Sequence, residues 1–291
     1  MRVKDYKIAT VFSNHFENEI TIKNRYRVDG GSINNSFCVE TNVGTFFVKN
    51  NDQNLYPKMF EEEQKGLEII GKESTIRVPK VTFTASHEDD SFIVMEYISE
   101  GNRSSSFWSV FGGQLAALHR VTQAQYGFES NNYIGSLKQN NQYHDTWSEF
   151  FIQERIAPQL KLAIDSGNLP ISIVIQFEKF YQEMDSIFPQ EVPSLLHGDL
   201  WGGNYLIGSD GLPWVIDPAV YYGHREMDIA MTRLFGGFDQ SFYRGYQQAF
   251  PLEEGWQKRV SYCNLYPLLV HVNLFGGSYT NQVSLIMNDF K

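Results

Sequence analysis

The sequence predicts an α+β fold in two lobes, an antiparallel β-sheet with one main helix followed by a mainly helical half. Three observations carry this. From residue 25 to residue 97 the chain runs in short alternating segments separated by turn residues, broken once by a helical pattern. Beyond residue 102, apolar residues recur every three or four positions. In the last third, two short apolar runs, Leu195-Leu196 and Trp214-Val215-Ile216, flank a polar, glycine-rich stretch.

In chain order, residues 5–19 read as a short amphipathic helix with Tyr6, Ile8, Val11, Phe12 and Phe16 apolar. Residues 25–28, 37–41 and 45–49 read as strands, with Asp29-Gly30-Gly31 and Asn42-Val43-Gly44 as turns. A helix over 60–70 puts Phe60, Leu67 and Ile70 on one face, and strands at 80–84 and 92–97 follow. The lobe boundary is expected at 98–102, dividing the chain into 1–98 and 99–291. Three apolar stripes then predict core helices: Phe107, Phe111, Leu115, Leu118; Trp147, Phe151, Ile156, Leu160; and Phe177, Phe180, Tyr181, Met184, Phe188.

Composition narrows the function. The 42% apolar and 20% charged residues are those of a soluble globular protein. No apolar run approaches the roughly 18 residues of a membrane span, and Met1-Arg2-Val3-Lys4-Asp5-Tyr6 has no apolar signal region. A cytoplasmic place and no membrane partner are expected. The net charge of −10 argues against nucleic acid as a partner, since that affinity rests on Lys and Arg. Cys38 and Cys263 make neither a disulfide scaffold nor a zinc pattern.

The chemistry lies in Leu-Leu-His-Gly-Asp-Leu-Trp-Gly-Gly-Asn at 195–204 and Val-Ile-Asp at 215–217. An Asp, an Asn five residues on and a second Asp thirteen later have the spacing of the protein-kinase-like fold. There Asp199 would accept the proton of an attacking hydroxyl, and Asn204 and Asp217 would hold the Mg²⁺ that bridges nucleotide phosphates. Gly198, Gly202 and Gly203 permit the tight turns this needs. His-Gly-Asp alone would read as an Asx turn; the spacing and a matching nucleotide half upstream decide otherwise. In that half Gly30, Gly31, Ser32 and Asn34 form a turn whose backbone N–H groups would approach phosphates, although a plain hairpin fits them equally. Lys49, at the end of Thr45-Phe46-Phe47-Val48-Lys49, falls where the fold places its phosphate-binding lysine. Of Glu61, Glu62 and Glu63, Glu63 shares the face of Leu67 and is expected to pair with it. Adenine is expected against backbone near Glu96 and Ile98. The cofactors expected are ATP and Mg²⁺.

Further pieces are Gly-Gly-Ser-Ile-Asn at 30–34, Leu-Ala-Ala-Leu-His at 115–119, Ile-Asp-Pro-Ala-Val-Tyr-Tyr-Gly-His-Arg-Glu-Met-Asp at 216–228 and Asn-Leu-Phe-Gly-Gly-Ser-Tyr at 273–279. Over nearly its whole length the chain resembles the fructosamine kinase (ketosamine-3-kinase) family, related to the aminoglycoside phosphotransferases. The resemblance implies ATP-dependent phosphorylation of the 3-hydroxyl of ketosamines, with glycated amines or glycated proteins as substrate. It implies that His271 approaches the sugar, a satisfied core histidine being the competing reading. Trp201, beside Asp199, would lay its ring against the sugar, or else anchor the loop in the core. His197 and Asp228 are expected to brace the catalytic loop, and Arg225 and Glu226 are candidate substrate-side charges. The family usually carries Ser where this chain has Gly202. Some relatives carry Cys where it has Ser32, so an oxidation response there is not carried over.

Two other functions remain. A different small-molecule kinase, acting on an aminoglycoside, choline or an amino acid, is opposed by Trp201 and the Asp217-Pro218-Ala219 run. A nucleotide-binding pseudokinase is opposed by the intact Lys49, Asp199, Asn204 and Asp217.

Overall fold

The computed structural model describes residues 3–28 and 33–290. The first half comprises α1 (Val3–Phe16), β1 (Ile22–Arg27), β2 (Asn35–Thr41), β3 (Thr45–Asp52), α2 (Met59–Glu73), β4 (Val81–His87) and β5 (Asp90–Glu96). The five strands form one antiparallel sheet in the order β1-β2-β3-β5-β4. Alternation along the strands divides their side chains between two helices. Val39, Val48, Phe92 and Val94 pack with Ile8, Val11 and Phe12 of α1. Ile93 and Met95 pack with Met59, Phe60 and Leu67 of α2. Because Val48 belongs to the α1 side, its neighbour Lys49 points to the α2 side, in the middle strand of the sheet. The element order is the one read from the sequence, with ends displaced by a few residues.

The rest is mainly helical: α3 (Phe107–Leu118), α4 (Trp147–Phe150), α5 (Ala157–Asp165), α6 (Val174–Ile187), α7 (Glu226–Leu234), α8 (Gln240–Ala249), α9 (Trp256–Cys263), α10 (Leu265–Phe275) and α11 (Ser278–Met287). Thr146 caps α4 by accepting the Glu149 N–H at 3.2 Å. A π-helical turn, Phe151–Ile156, joins α4 to α5. It explains the five-residue step from Phe151 to Ile156 in an otherwise three-to-four stripe.

Six strands of three residues each follow; two of them fall on the apolar runs Leu195-Leu196 and Trp214-Val215-Ile216, which read as strands in the sequence, and the other four escape sequence reading. The six are β6 (Asn132–Ile134), β7 (Leu137–Gln139), β8 (Ser194–Leu196), β9 (Tyr205–Ile207), β10 (Pro213–Val215) and β11 (Tyr221–Gly223), paired β6-β7, β8-β11 and β9-β10. These small ladders hold the candidate site residues. The 197–204 loop leaves β8 and enters β9, and Asp217 lies between β10 and β11. Among the described residues, no helix is long and apolar enough to cross a membrane.

Candidate active site

Lys49 is 4% exposed, so its ammonium must be paired to remain buried. It donates to Glu63 Oε1 at 2.7 Å and also to Asp217 Oδ1. Burial alone would lower its pKa, but the carboxylates of Asp217 and Glu63 outweigh burial and hold it above its ordinary value. Lys49 is therefore a cation. The other two glutamates turn away: Glu62 pairs with Lys65 at 2.8 Å, and Glu61 is exposed.

The 197–204 loop is held from behind by Asp228, which is 1% exposed. Its carboxylate accepts the His197 N–H at 2.7 Å and the Gly198 N–H at 2.9 Å, and His119 Nε2 lies 3.2 Å away. His197 Nε2 donates to the Ile216 carbonyl at 3.0 Å, and the His197 carbonyl accepts the Ala219 N–H at 2.8 Å. Burial lowers the His197 pKa, which keeps the ring neutral. Gly198 has φ +83°, and a Cβ there would overlap the Ala219 carbonyl. The structure thus brings His197 and Asp228 together as a brace. His119 carries no role in the sequence reading; its motif is visible there, but its partner lies 109 residues away.

Asp199 is half-buried on the cleft floor. Burial, then the negative charge of Asp217, push its pKa well above the usual carboxylate value, although the Asn204 hydrogen bond opposes this. Asn204 Nδ2 donates to the Asp199 carbonyl at 2.8 Å and to Asp199 Oδ2 at 2.9 Å. With both bonds on its nitrogen, the amide leaves Oδ1 free as a donor atom toward a metal. Asp217 adopts a left-handed backbone conformation, φ +56°. Among the described residues no group of three or more His, Cys, Asp or Glu could hold a metal alone. One carboxylate and one amide oxygen beside a phosphate site fit Mg²⁺, which takes few protein ligands and completes its shell with phosphate and water.

These groups open onto a cleft of about 480 Å³. One wall is aromatic. Trp201 meets Phe235 edge-on at 5.8 Å between centroids, and His271 lies 4.7 Å from Phe235 and 5.0 Å from Tyr279. His271 Nδ1 donates to the Pro267 carbonyl at 2.7 Å, so Nε2 is an acceptor; burial lowers the ring's pKa and keeps it neutral. The Trp201 ring covers Gly203, where a Cβ would collide with it, whereas nothing lies within 4 Å of a Cβ at Gly202. Gly202→Ser is accordingly expected to leave Tm and both KM values unchanged, within about 0.5 kcal/mol. A thermal melt with steady-state kinetics checks this. Phe235 and Tyr279 went unassigned in the sequence, because single aromatics there look like core.

Two expectations are corrected. Arg225 and Glu226, 3% and 2% exposed, do not line the cleft. Arg225 makes a two-pronged pair with Glu191 at 2.7–3.0 Å, and Glu226 one with Arg259 at 2.6–2.7 Å. Both charges are spent in packing the start of α7. Gly30, Gly31 and Ser32 lie outside the described residues; Asn34 lines the cleft and accepts from Asn51 at 3.1 Å. Glu96 ends β5, where its carboxylate accepts the Lys80 N–H at 2.7 Å, and Ile98 follows; neither lines this cleft.

A family model described as fructosamine kinase matches residues 4–291. A protein of Synechocystis sp. named "probable ketoamine kinase" is 40% identical over 268 residues, covering 91% of this chain and 90% of the relative. A chloroplastic protein-ribulosamine 3-kinase of Arabidopsis thaliana is 38% identical over 268 residues, covering 90% of this chain and 81% of the relative. A crystal structure from Haemophilus somnus, described as a candidate fructosamine-3-kinase, superposes with a TM-score of 0.87 at 29% identity, covering 98% of this chain and 97% of the other.

Proposed function

We infer the reaction from one premise: this chain belongs to the fructosamine kinase family. It is a kinase that phosphorylates ketosamines, with ATP as the phosphate donor. The observation that carries the residue-level reading is a single cleft in which Lys49, Asp199, Asn204 and Asp217 face an aromatic wall.

In our reading Asp199 takes the proton from the sugar 3-hydroxyl, and its raised pKa suits a base working nearer neutral pH. Asn204 keeps that carboxylate aimed into the cleft. Lys49, set by Glu63, steadies the α- and β-phosphates. Asn204 Oδ1 and Asp217 would hold Mg²⁺, which supplies charge neutralisation on the phosphates. Glu96 gives its own N–H to the Lys80 carbonyl at 2.9 Å, so adenine would be met by other backbone groups near Glu96 and Ile98. Trp201 covers a C–H face of the sugar, and His271 Nε2 accepts one of its hydroxyls. Such a site works by positioning and electrostatics. Phosphate beside the carbonyl-derived carbons is a better leaving group than hydroxide, so its loss and hydrolysis of the remaining adduct free the amine. The two buried free thiols suit a reducing, cytoplasmic setting.

Turnover on fructosamine, ribulosamine and erythrulosamine derivatives of lysine tests this, with choline and an aminoglycoside as controls and phosphorus NMR to locate the new ester. Phosphorylation of the controls alone would sink it. Trp201→Ala is expected to raise KM for ketosamine about tenfold and leave KM for ATP within about twofold. Equal damage to both, with a lower Tm, would make Trp201 a loop anchor instead.

A further inference from the structure

The β6-β7 hairpin borders the cleft through Asn132, Tyr133, Ile134 and Gly135 but gives no group to the reaction just described, yet polar side chains in and beside it are buried. Asn132, Gln139 and Asn141 are 5%, 1% and 1% exposed. Behind them Arg155 is fully buried, and among the described residues no carboxylate pairs with it. Its guanidinium lies 4.0 Å from the Tyr221 ring centroid, and it donates to Asn141 Oδ1 at 2.6 Å. Asn141 donates to Asn132 Oδ1 at 3.1 Å, which also accepts from Gln139 at 2.8 Å. Tyr266 donates to Gln139 Oε1 at 2.7 Å. Burying an unpaired guanidinium and three amides costs free energy that aliphatic side chains of similar volume would not.

The network ends on the segment after Asp217. Gln139 Nε2 donates to the Ala219 carbonyl at 3.0 Å, and Asn132 Nδ2 to the Val220 carbonyl at 2.8 Å. The Ala219 N–H is already held by His197. Ala219, two residues beyond Asp217, is therefore fixed on one side by the catalytic loop and on the other by the hairpin. Asp217 needs such restraint, since a left-handed conformation costs a non-glycine residue on the order of 1 kcal/mol. The hairpin also reaches α2: Tyr133 donates to the Pro57 carbonyl at 3.0 Å just before it, and Ser130 bonds Glu62. A Cβ on Gly66 of α2 would lie 3.0 Å from Pro218 Cγ. The helix bearing Glu63 and the segment bearing Asp217 are thus fastened to one hairpin.

We propose that Gln139 and Asn132 are positioning residues, whose amides clamp the Ala219 and Val220 carbonyls and thereby set the Asp217 carboxylate where a metal-bound nucleotide meets it. This rests on the reading of Asp217 as the metal-side carboxylate. Outer partners of this kind change metal affinity or activity by about 10–100-fold when removed.

The test measures ADP affinity by calorimetry with and without Mg²⁺, together with Tm and KM for ketosamine. Gln139→Glu keeps the acceptor for Tyr266 but loses the donors. Gln139→Met removes both at similar length, and Asn132→Ser serves if either fails to fold. The expected result is a fall of about tenfold in the gain that Mg²⁺ brings to ADP binding. Metal-free ADP affinity and KM for ketosamine should move less than about twofold. If all the parameters fall together with Tm, the hairpin is only structural and the proposal is overturned. Asp217→Asn separates the two claims. If it abolishes the Mg²⁺ gain while the Gln139 variants keep it, the clamp alone is wrong. If Asp217→Asn itself keeps the gain, the premise falls and the proposal with it.

Discussion

Asp199→Asn is expected to lower kcat by about 10²-fold or more, the range for loss of a general base, without lowering Tm at neutral pH. The second half of this follows from the sign of the pKa shift. Burial and Asp217 raise the Asp199 pKa in the folded state. A raised acid contributes stability at low pH that is lost as pH rises through its folded pKa. Above that folded pKa the charged carboxylate is a burden on the fold, and a neutral amide of the same shape carries no such burden at any pH. In the wild type, kcat/KM should fall on acidification at a pH above the ordinary carboxylate value of 3.8. A pH–rate profile and thermal melts of both proteins check these outcomes. Wild-type kcat in the variant would remove Asp199 from the role of base.

Asp228→Ala is expected to cost stability and activity together. It strips acceptors from the His197 and Gly198 N–H groups in a buried place, and each hydrogen bond to a charged group contributes about 1.5–3 kcal/mol. A loss of about 3 kcal/mol or more corresponds to a fall in Tm of roughly 5–10 °C for a chain of this size. Burial would raise the Asp228 pKa, but the hydrogen bond from His119, the neighbouring imidazoles of His119 and His197 and the Gly198 N–H more than offset it, and the net shift is downward. A depressed acid stabilises above its unfolded pKa, and that contribution is lost as pH falls through the folded value. The stability gap between wild type and variant should therefore narrow below about pH 4. Denaturant unfolding at several pH values measures it; a gap that stays constant down to pH 2 would mean the carboxylate's charge is not what holds the loop.

What the sequence revealed follows the length scale of each interaction. The order of the first half was legible because alternation and helical spacing are local patterns, and Glu63 could be separated from its neighbours by the face it shares with Leu67. The Asp199, Asn204 and Asp217 spacing was legible because these residues lie on one short stretch. The hairpin at 132–139 was not, since Asn132-Tyr133-Ile134 and Leu137-Lys138-Gln139 are too short to show a period. Arg225 and Glu226 were misread because a charged residue is expected at the surface; their partners, Glu191 and Arg259, lie 34 and 33 residues away. Buried polar pairs of that kind leave no periodic trace.

Lys49 answers to two carboxylates at once, and this bears on which form of nucleotide the cleft admits. Among the described residues lining it, the acidic side chains are Glu63, Asp199 and Asp217, and the one lysine or arginine is Lys49. Bare ATP, a polyanion, would meet an acid-lined cavity whose single ammonium is already engaged. A nucleotide arriving with its metal would bring cationic charge for Asp217 to meet, and Lys49 would then be released toward the phosphates. On that reading the carboxylates would act as a filter, favouring the metal–nucleotide complex over free nucleotide before any chemistry begins.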